Sequence, residues 1–213
     1  MGLGQTINYC PEHSIELLGQ AQKQIQNDRK NNIELYLTSI GISKRYVNCT
    51  LENFKGGEKY VKFCKNYVKN PIDSLFFTGT FGCGKTHLSI GICRELILSE
   101  KIYSARFTTG AELLLKIRSG FSDNKPEEQT IDEFTKTDFL FIDDLGAEKT
   151  TEWSKQTLYL IIDRRDRDLK TTIITSNLSL EEIEENISGR IASRIANSVV
   201  INVNLPDYRK KRV

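Results

Sequence analysis

The spacing of hydrophobic and polar positions changes character several times along the chain. The segment "IELLGQAQKQIQNDRK" places Ile15, Leu18, Ala21, Gln22 and Ile25 on one side of a helix capped by Ser14, a stripe too thin to close a core of its own. A short second helix, "NIELYLTSI", stops at Gly41. Together they predict a small helical arm over residues 1–45 that docks on a partner. After an irregular stretch to Lys55, "GEKYVKFCKNYVKN" puts Tyr60, Val61, Cys64, Tyr67 and Val68 at helical spacing, and Pro71 ends the run.

From there, short apolar runs alternate with helical periods. Strands are predicted at 74–78, 103–108, 138–143, 171–176 and 199–203, and helices at 85–100, 110–118, 128–136, 153–168 and 179–196. Strands of this apolar kind, each followed by a helix, predict an α/β domain over residues 46–213: a five-stranded parallel sheet sandwiched by helices. Ser179 and Glu182 have the spacing of a capping box at the start of the last helix.

Composition narrows the picture only a little. The 213 residues, 38% of them hydrophobic, suffice for one main domain and an appendage. Thirty basic against 28 acidic residues leave a net charge of +2, so any nucleic-acid contact must come from local clusters. Five cysteines, odd in number and without a CxxC, follow no signal peptide, which predicts free thiols in the cytoplasm. No run approaches the ~20 apolar residues of a membrane span. The opening "MGLGQT" fits a loose myristoylation pattern but reads better as a flexible terminus. Cys10-x-x-His13 is half of a zinc spacing, and no second pair follows before Cys49.

The chemistry begins at "TGTFGCGKTHL". Gly79-x-x-x-x-Gly84-Lys85-Thr86 follows an apolar strand and opens a helix, the setting a phosphate loop requires. Glycines let backbone N–H groups curl around phosphates, and the helix N-terminus adds its positive dipole end. Gly79, Gly82, Cys83, Gly84 and His87 are expected around the nucleotide, Lys85 on the terminal phosphates, and Thr86 on Mg2+. The strand "DFLFIDD" then supplies Asp143 for the magnesium and Asp144 to orient or deprotonate a water. Asn177, ending "TTIITSN", is placed to touch the γ-phosphate or that water. "DDLG" at 143–146 and "TKTD" at 135–138 imitate GTPase motifs, but Asp138 precedes Asp143 on the same strand and cannot reach a base. No arginine-rich lid between 85 and 140 marks a small-molecule kinase.

"TGTFGCGKTHL", "DFLFIDDLG", "IITSN", "GRIASRI" and "DYRK", in this order, resemble the AAA+ ATPases of the DnaC/IstB group, most of all its DnaC-type helicase loaders. "SIGISKRYVNCTLENF" resembles the segment leading into that domain, so the likeness runs from about residue 38 onward. The resemblance implies an AAA+ P-loop fold, with ATP and Mg2+ as cofactors and ATP hydrolysed to ADP and phosphate between subunits that self-associate through the ATP site. Arg194 then matches the arginine finger, one helical turn after Arg190, and Arg209 the sensor arginine that touches nucleotide in cis. The chain stops eight residues after Leu205, which leaves no length for a C-terminal helical lid. Arg118, Phe121, Thr151 and Trp153 fall where relatives contact single-stranded DNA, and the arm where they hold a hexameric DnaB-type replicative helicase. Two other readings stay open: an IstB-like regulator of transposition, and a module that binds ATP without turnover.

Overall fold

The computed structural model describes residues 11–120 and 127–211. Cys10, Phe121 and the "MGLGQT" opening therefore lie outside the described residues. Five strands, β1 (Leu75–Thr78), β2 (Ala105–Thr109), β3 (Phe139–Leu145), β4 (Thr171–Ser176) and β5 (Val199–Asn202), form one parallel sheet in the order β2-β3-β4-β1-β5. The three central strands β3, β4 and β1 alternate their side chains between two cores, as pleated strands covered on both faces must, whereas the edge strand β5 leaves Val199 and Val200 exposed. Leu75, Phe77, Phe139, Phe141 and Ile173 face one core, and Phe76, Leu140, Ile142 and Ile174 the other.

The first core is closed by α3 (Glu58–Lys69) and α4 (Lys85–Leu98), which bury Tyr60, Cys64, Tyr67, Leu88, Ile92 and Cys93. The second is closed by α5 (Gly110–Gly120), α6 (Glu127–Thr135), α7 (Glu152–Arg167), α8 (Leu180–Asn186) and α9 (Gly189–Ile195). The single helix predicted at 179–196 is thus two. Its Ser179–Glu182 capping box forms, but Ser188 takes an extended conformation and restarts the helix at Gly189. That break lets Ile183, Ile187, Ile191 and Ile195 all reach the core.

The N-terminal helices differ most from expectation. α1 (Pro11–Asn31) already contains Ser14 within its helical residues, so Ser14 is not the N-cap it was expected to be. Ala21, Gln22 and Ile25 of its apolar stripe are exposed. Its C-terminal half touches the domain through polar contacts: Gln26 Nε2 to the Ile102 carbonyl at 3.3 Å, Arg29 to the Tyr103 carbonyl at 2.8 Å, and Lys30 to Glu100. α2 (Ile33–Ser39) behaves differently. Leu37, Ile40 and Ile42 are buried in the first core, and the Phe107 N–H donates to the Ile40 carbonyl at 2.8 Å. The segment 37–42, expected in the 1–45 arm, is therefore packed into the first core through these side chains.

One polar cluster holds the second core together. Arg165 is 0% exposed, and its guanidinium donates to the carbonyls of Phe134, Thr135, Thr137, Asp138 and Thr171 and to Thr172 Oγ1, at 2.6–3.2 Å. Burial pulls its pKa down to about 10, against the nearby Asp138 charge, so it stays protonated at neutral pH. Asp138 sits just before β3 begins, bonded to Ser104 and Lys170, at the end of the sheet remote from Gly79. That position disposes of the GTPase-like "TKTD".

Candidate functional site

At the C-terminal ends of β1, β3 and β4 lies a cavity of about 1110 Å³. The loop after β1 shapes its floor. Gly79, Gly82 and Gly84 have φ of 144°, 73° and 98°, the left-handed region that glycine tolerates best. None of the three has room for a side chain either: a Cβ on Gly79 would stand 2.4 Å from the Val203 carbonyl oxygen. A Cβ on Gly84 would stand 2.5 Å from the Phe54 ring, and one on Gly82 would overlap the Asp207 carboxylate.

Lys85 opens α4 and is 6% exposed. Its ammonium donates to the carbonyls of Gly79 (2.7 Å) and Thr80 (2.9 Å) and to Asn177 Oδ1 (2.8 Å), with Cys83 Sγ at 3.6 Å. Thr86 Oγ1 donates to Asp143 at 2.9 Å, and Thr175 Oγ1 donates to the same carboxylate at 2.6 Å. Burial raises the Asp143 pKa, the Asp144 charge adds to it, and the two hydroxyls oppose it. A hydroxyl and a carboxylate meeting directly below a phosphate-sized nest fit a hard divalent cation with oxygen ligands.

β3 runs two residues further at its acidic end than predicted, to Leu145, through a bulge between Ile142 and Leu145. Asp144 lies in this bulge with φ of 54°, a conformation disfavoured for a residue with a side chain. Its N–H donates to Thr175 Oγ1 at 3.0 Å, and its carboxylate accepts from Asn177 Nδ2 at 2.5 Å. The bulge turns two successive acids toward one cavity; in a regular strand they would face opposite sides of the sheet.

Sequence reasoning missed the wall opposite the phosphate loop. Residues 45–56 fold over α4, with Leu51 so close to Gly91 that a Cβ there would collide with it. Tyr46, Asn53 and Phe54 from this segment line the cavity. His87 serves the same wall: its Nε2 lies 2.8 Å from both the Thr50 carbonyl and Asn53 Oδ1, and its ring meets Phe54 edge-on. Burial lowers the His87 pKa, only partly offset by the Thr50 carbonyl, which favours the neutral ring. The aromatic in "CTLENF" was the available signal, but nothing in its spacing tied it to a loop thirty residues away.

The remaining expected residues divide into three places. Arg209, in the short turn Tyr208–Lys211, lines the cavity mouth, and the Tyr208 N–H holds that turn to the Gly82 carbonyl at 3.1 Å. Arg118 and Trp153 come together on the surface of α5 and α7, with the guanidinium 5.6 Å from the ring centre. Thr151 beside them caps α7, its hydroxyl accepting from the Ser154 N–H at 3.1 Å. Arg194 lies near neither group. It borders a separate cavity with Ser74, Leu75, Thr171 and Thr172, at the opposite ends of β1 and β4.

A family model described as IstB-like ATP binding protein matches residues 13–212. The chain belongs to this family. An IstB-like protein of this kind is 30% identical over 215 residues to the replicative helicase loader DnaC of Buchnera aphidicola subsp. Baizongia pistaciae, a match covering 92% of this chain and 87% of that one. It is 29% identical to the DnaC loader of Escherichia coli K12, over 87% of this chain and 79% of the relative. A crystal structure of the DnaC helicase loader superposes with a TM-score of 0.69, at 23% identity, over 76% of this chain and all of the other. The IstB-like chain thus has the AAA+ P-loop fold, and the ligand of its family is ATP. No helix among its described residues is long and apolar enough to cross a membrane.

Proposed function

We propose that this protein is an ATP-switched loader of a hexameric DnaB-type replicative helicase onto single-stranded DNA. The observation that carries the reading is the joining of Lys85, Asn177 and Asp144 at one end of a cavity whose family ligand is ATP, in a chain about 30% identical to DnaC loaders over most of their length.

The loop amides and Lys85 bind the β- and γ-phosphates, and Lys85 exchanges its Gly79 and Thr80 carbonyl partners for phosphate oxygens. Thr86 and Asp143 hold Mg2+, which supplies charge neutralisation on the phosphates. Phe54 and Tyr46 enclose the base, while Arg209 reaches the phosphates from the cavity mouth. Asp144 orients the attacking water, with Asn177 fixing its carboxylate. Arg194, too far from its own cavity to act there, completes the site of an adjoining copy and is worth about 10³–10⁵-fold in rate. Arg118 and Trp153 contact single-stranded DNA by phosphate pairing and base stacking, with Thr151 alongside and Phe121, outside the described residues, assigned from sequence. The exposed stripe of α1 seats in the helicase.

The test is capture of a replicative helicase by the full chain, with ATP and single-stranded DNA, compared with a chain lacking residues 1–25. Capture by the full chain alone, with turnover stimulated by single-stranded DNA, supports the proposal. Capture of a transposase instead supports the IstB-like transposition reading, and binding of ATP without turnover supports a non-enzymatic module.

A further inference from the structure

Arg194 does not project freely from α9. Its Nη2 pairs with Asp163 Oδ1 at 2.8 Å, and its Nη1 makes a longer 3.4 Å contact with Asp166 Oδ2. The two acids are unequal. Asp163 is buried and accepts from two further donors, Arg167 Nε at 3.1 Å and Tyr159 Oη at 3.3 Å, so its position is fixed by α7 itself. Asp166 is one-third exposed, and its other contact, from Asn197 Nδ2, is also 3.4 Å long. Around Arg194 the surface is open: Leu169, with φ of 52°, is 90% exposed, and Ile72 is 70% exposed, on either side of a cavity of about 180 Å³.

From this geometry we infer that Asp163 is a positioning residue for the arginine that completes the neighbouring copy's ATP site. The inference rests on the reading of Arg194 given above. A planar guanidinium can be gripped along one edge and still present the rest of its donors. Asp163 supplies a short, water-shielded grip on Nη2. The weak Asp166 contact leaves Nη1 available to exchange a carboxylate for a phosphate oxygen. The charges at the clamp also balance, with Asp163 and Asp166 opposite Arg167 and Arg194. Removing the Asp163 charge leaves Arg167 without its carboxylate and Arg194 with only the long Asp166 contact, and the repulsion between the two arginines turns the finger out of line. A misplacement of about 1 Å in a catalytic group costs on the order of 10²-fold.

The experiment is a mixing assay on the full chain with ATP and single-stranded DNA, using Asp163→Asn, Arg194→Ala and Asp144→Asn. Asp163→Asn keeps the side-chain volume and one acceptor. The expected result is ATP affinity within about twofold of the parent, turnover reduced on the order of 10²-fold, and recovery of turnover when Asp163→Asn is mixed with Asp144→Asn. The latter has a dead site of its own but donates an intact, clamped finger to its neighbour. A folding defect in Asp163→Asn cannot be repaired by adding an inactive subunit. Full turnover in Asp163→Asn, or loss that mixing fails to restore, overturns the inference while Arg194→Ala remains inactive and rescuable. Full turnover in Arg194→Ala overturns the reading beneath it as well.

Discussion

Lys85 Nζ donates a 2.8 Å hydrogen bond to Asn177 Oδ1, joining the helix after β1 to the end of β4 across 92 residues of chain. The same amide donates from Nδ2 to Asp144, so its orientation is fixed by a cation on one side and an anion on the other. All three Lys85 donors bond within the protein. Asn177→Ala frees both ends. Nucleotide affinity then changes little, because the loop amides are untouched, while turnover falls about 10²-fold through loss of one oriented polar group. Parallel measurement of ATP affinity and phosphate release checks both halves.

Asp143 gives a pH dependence of definite sign. Burial raises its folded pKa above the ordinary 3.8, so its contribution to stability is fully present below that value and is lost as the pH rises through the raised folded pKa. Burial therefore disfavours the ionised form of Asp143 in the folded protein. Asp143→Asn raises the melting temperature of nucleotide-free protein at pH 7, with the gain shrinking toward pH 4, and removes the stabilisation that magnesium and ATP give the parent. Thermal melts across that range, with and without ligand, provide the comparison.

Arg165 should be the most sensitive polar residue outside the site. Its replacement by Met leaves at least five buried carbonyls without their shared donor, costing about 3–5 kcal/mol. At about 2–4 °C per kcal/mol the melting temperature falls by roughly 10 °C. Arg165→Lys restores little of this, since one ammonium has three donors and cannot span α6, β3 and β4.

The two N-terminal helices should separate in their effects. Removing residues 1–25 leaves the melting temperature within about 2 °C of the parent, because the contacts to Ile102, Tyr103 and Glu100 begin at Gln26. Leu37→Ala, by contrast, opens a fully buried position and costs about 2–5 kcal/mol. Equal destabilisation by both changes would contradict the packing of α2 in the first core.

Much of this was legible in the chain because the local rules agreed with one another. Glycine spacing, a preceding apolar strand and a following helix all identified the loop at 79–86, and two adjacent acids after "FLFI" identified the end of β3. The bulge that brings Asp143 and Asp144 to one cavity was not legible, since a bulge depends on pairing with Ser176 and not on the acids themselves. The Phe54 wall escaped for a similar reason: its contact with Gly84 exists only after residues 45–56 cross α4. α2 read as part of an arm because its apolar residues are few, yet those few, with Gly41 pressed against the Phe107 carbonyl, lie along the edge of β2.

Loading driven by ATP requires first that ATP is held by the loop that Lys85 closes. Calorimetric titration of the full chain with ATP in magnesium buffer, alongside Lys85→Ala, tests it most directly. Saturable binding of one nucleotide per chain, weakened about 10–100-fold or more in Lys85→Ala by loss of charge-assisted bonds, is the predicted result. No binding by the parent, or equal binding by both proteins, would contradict it.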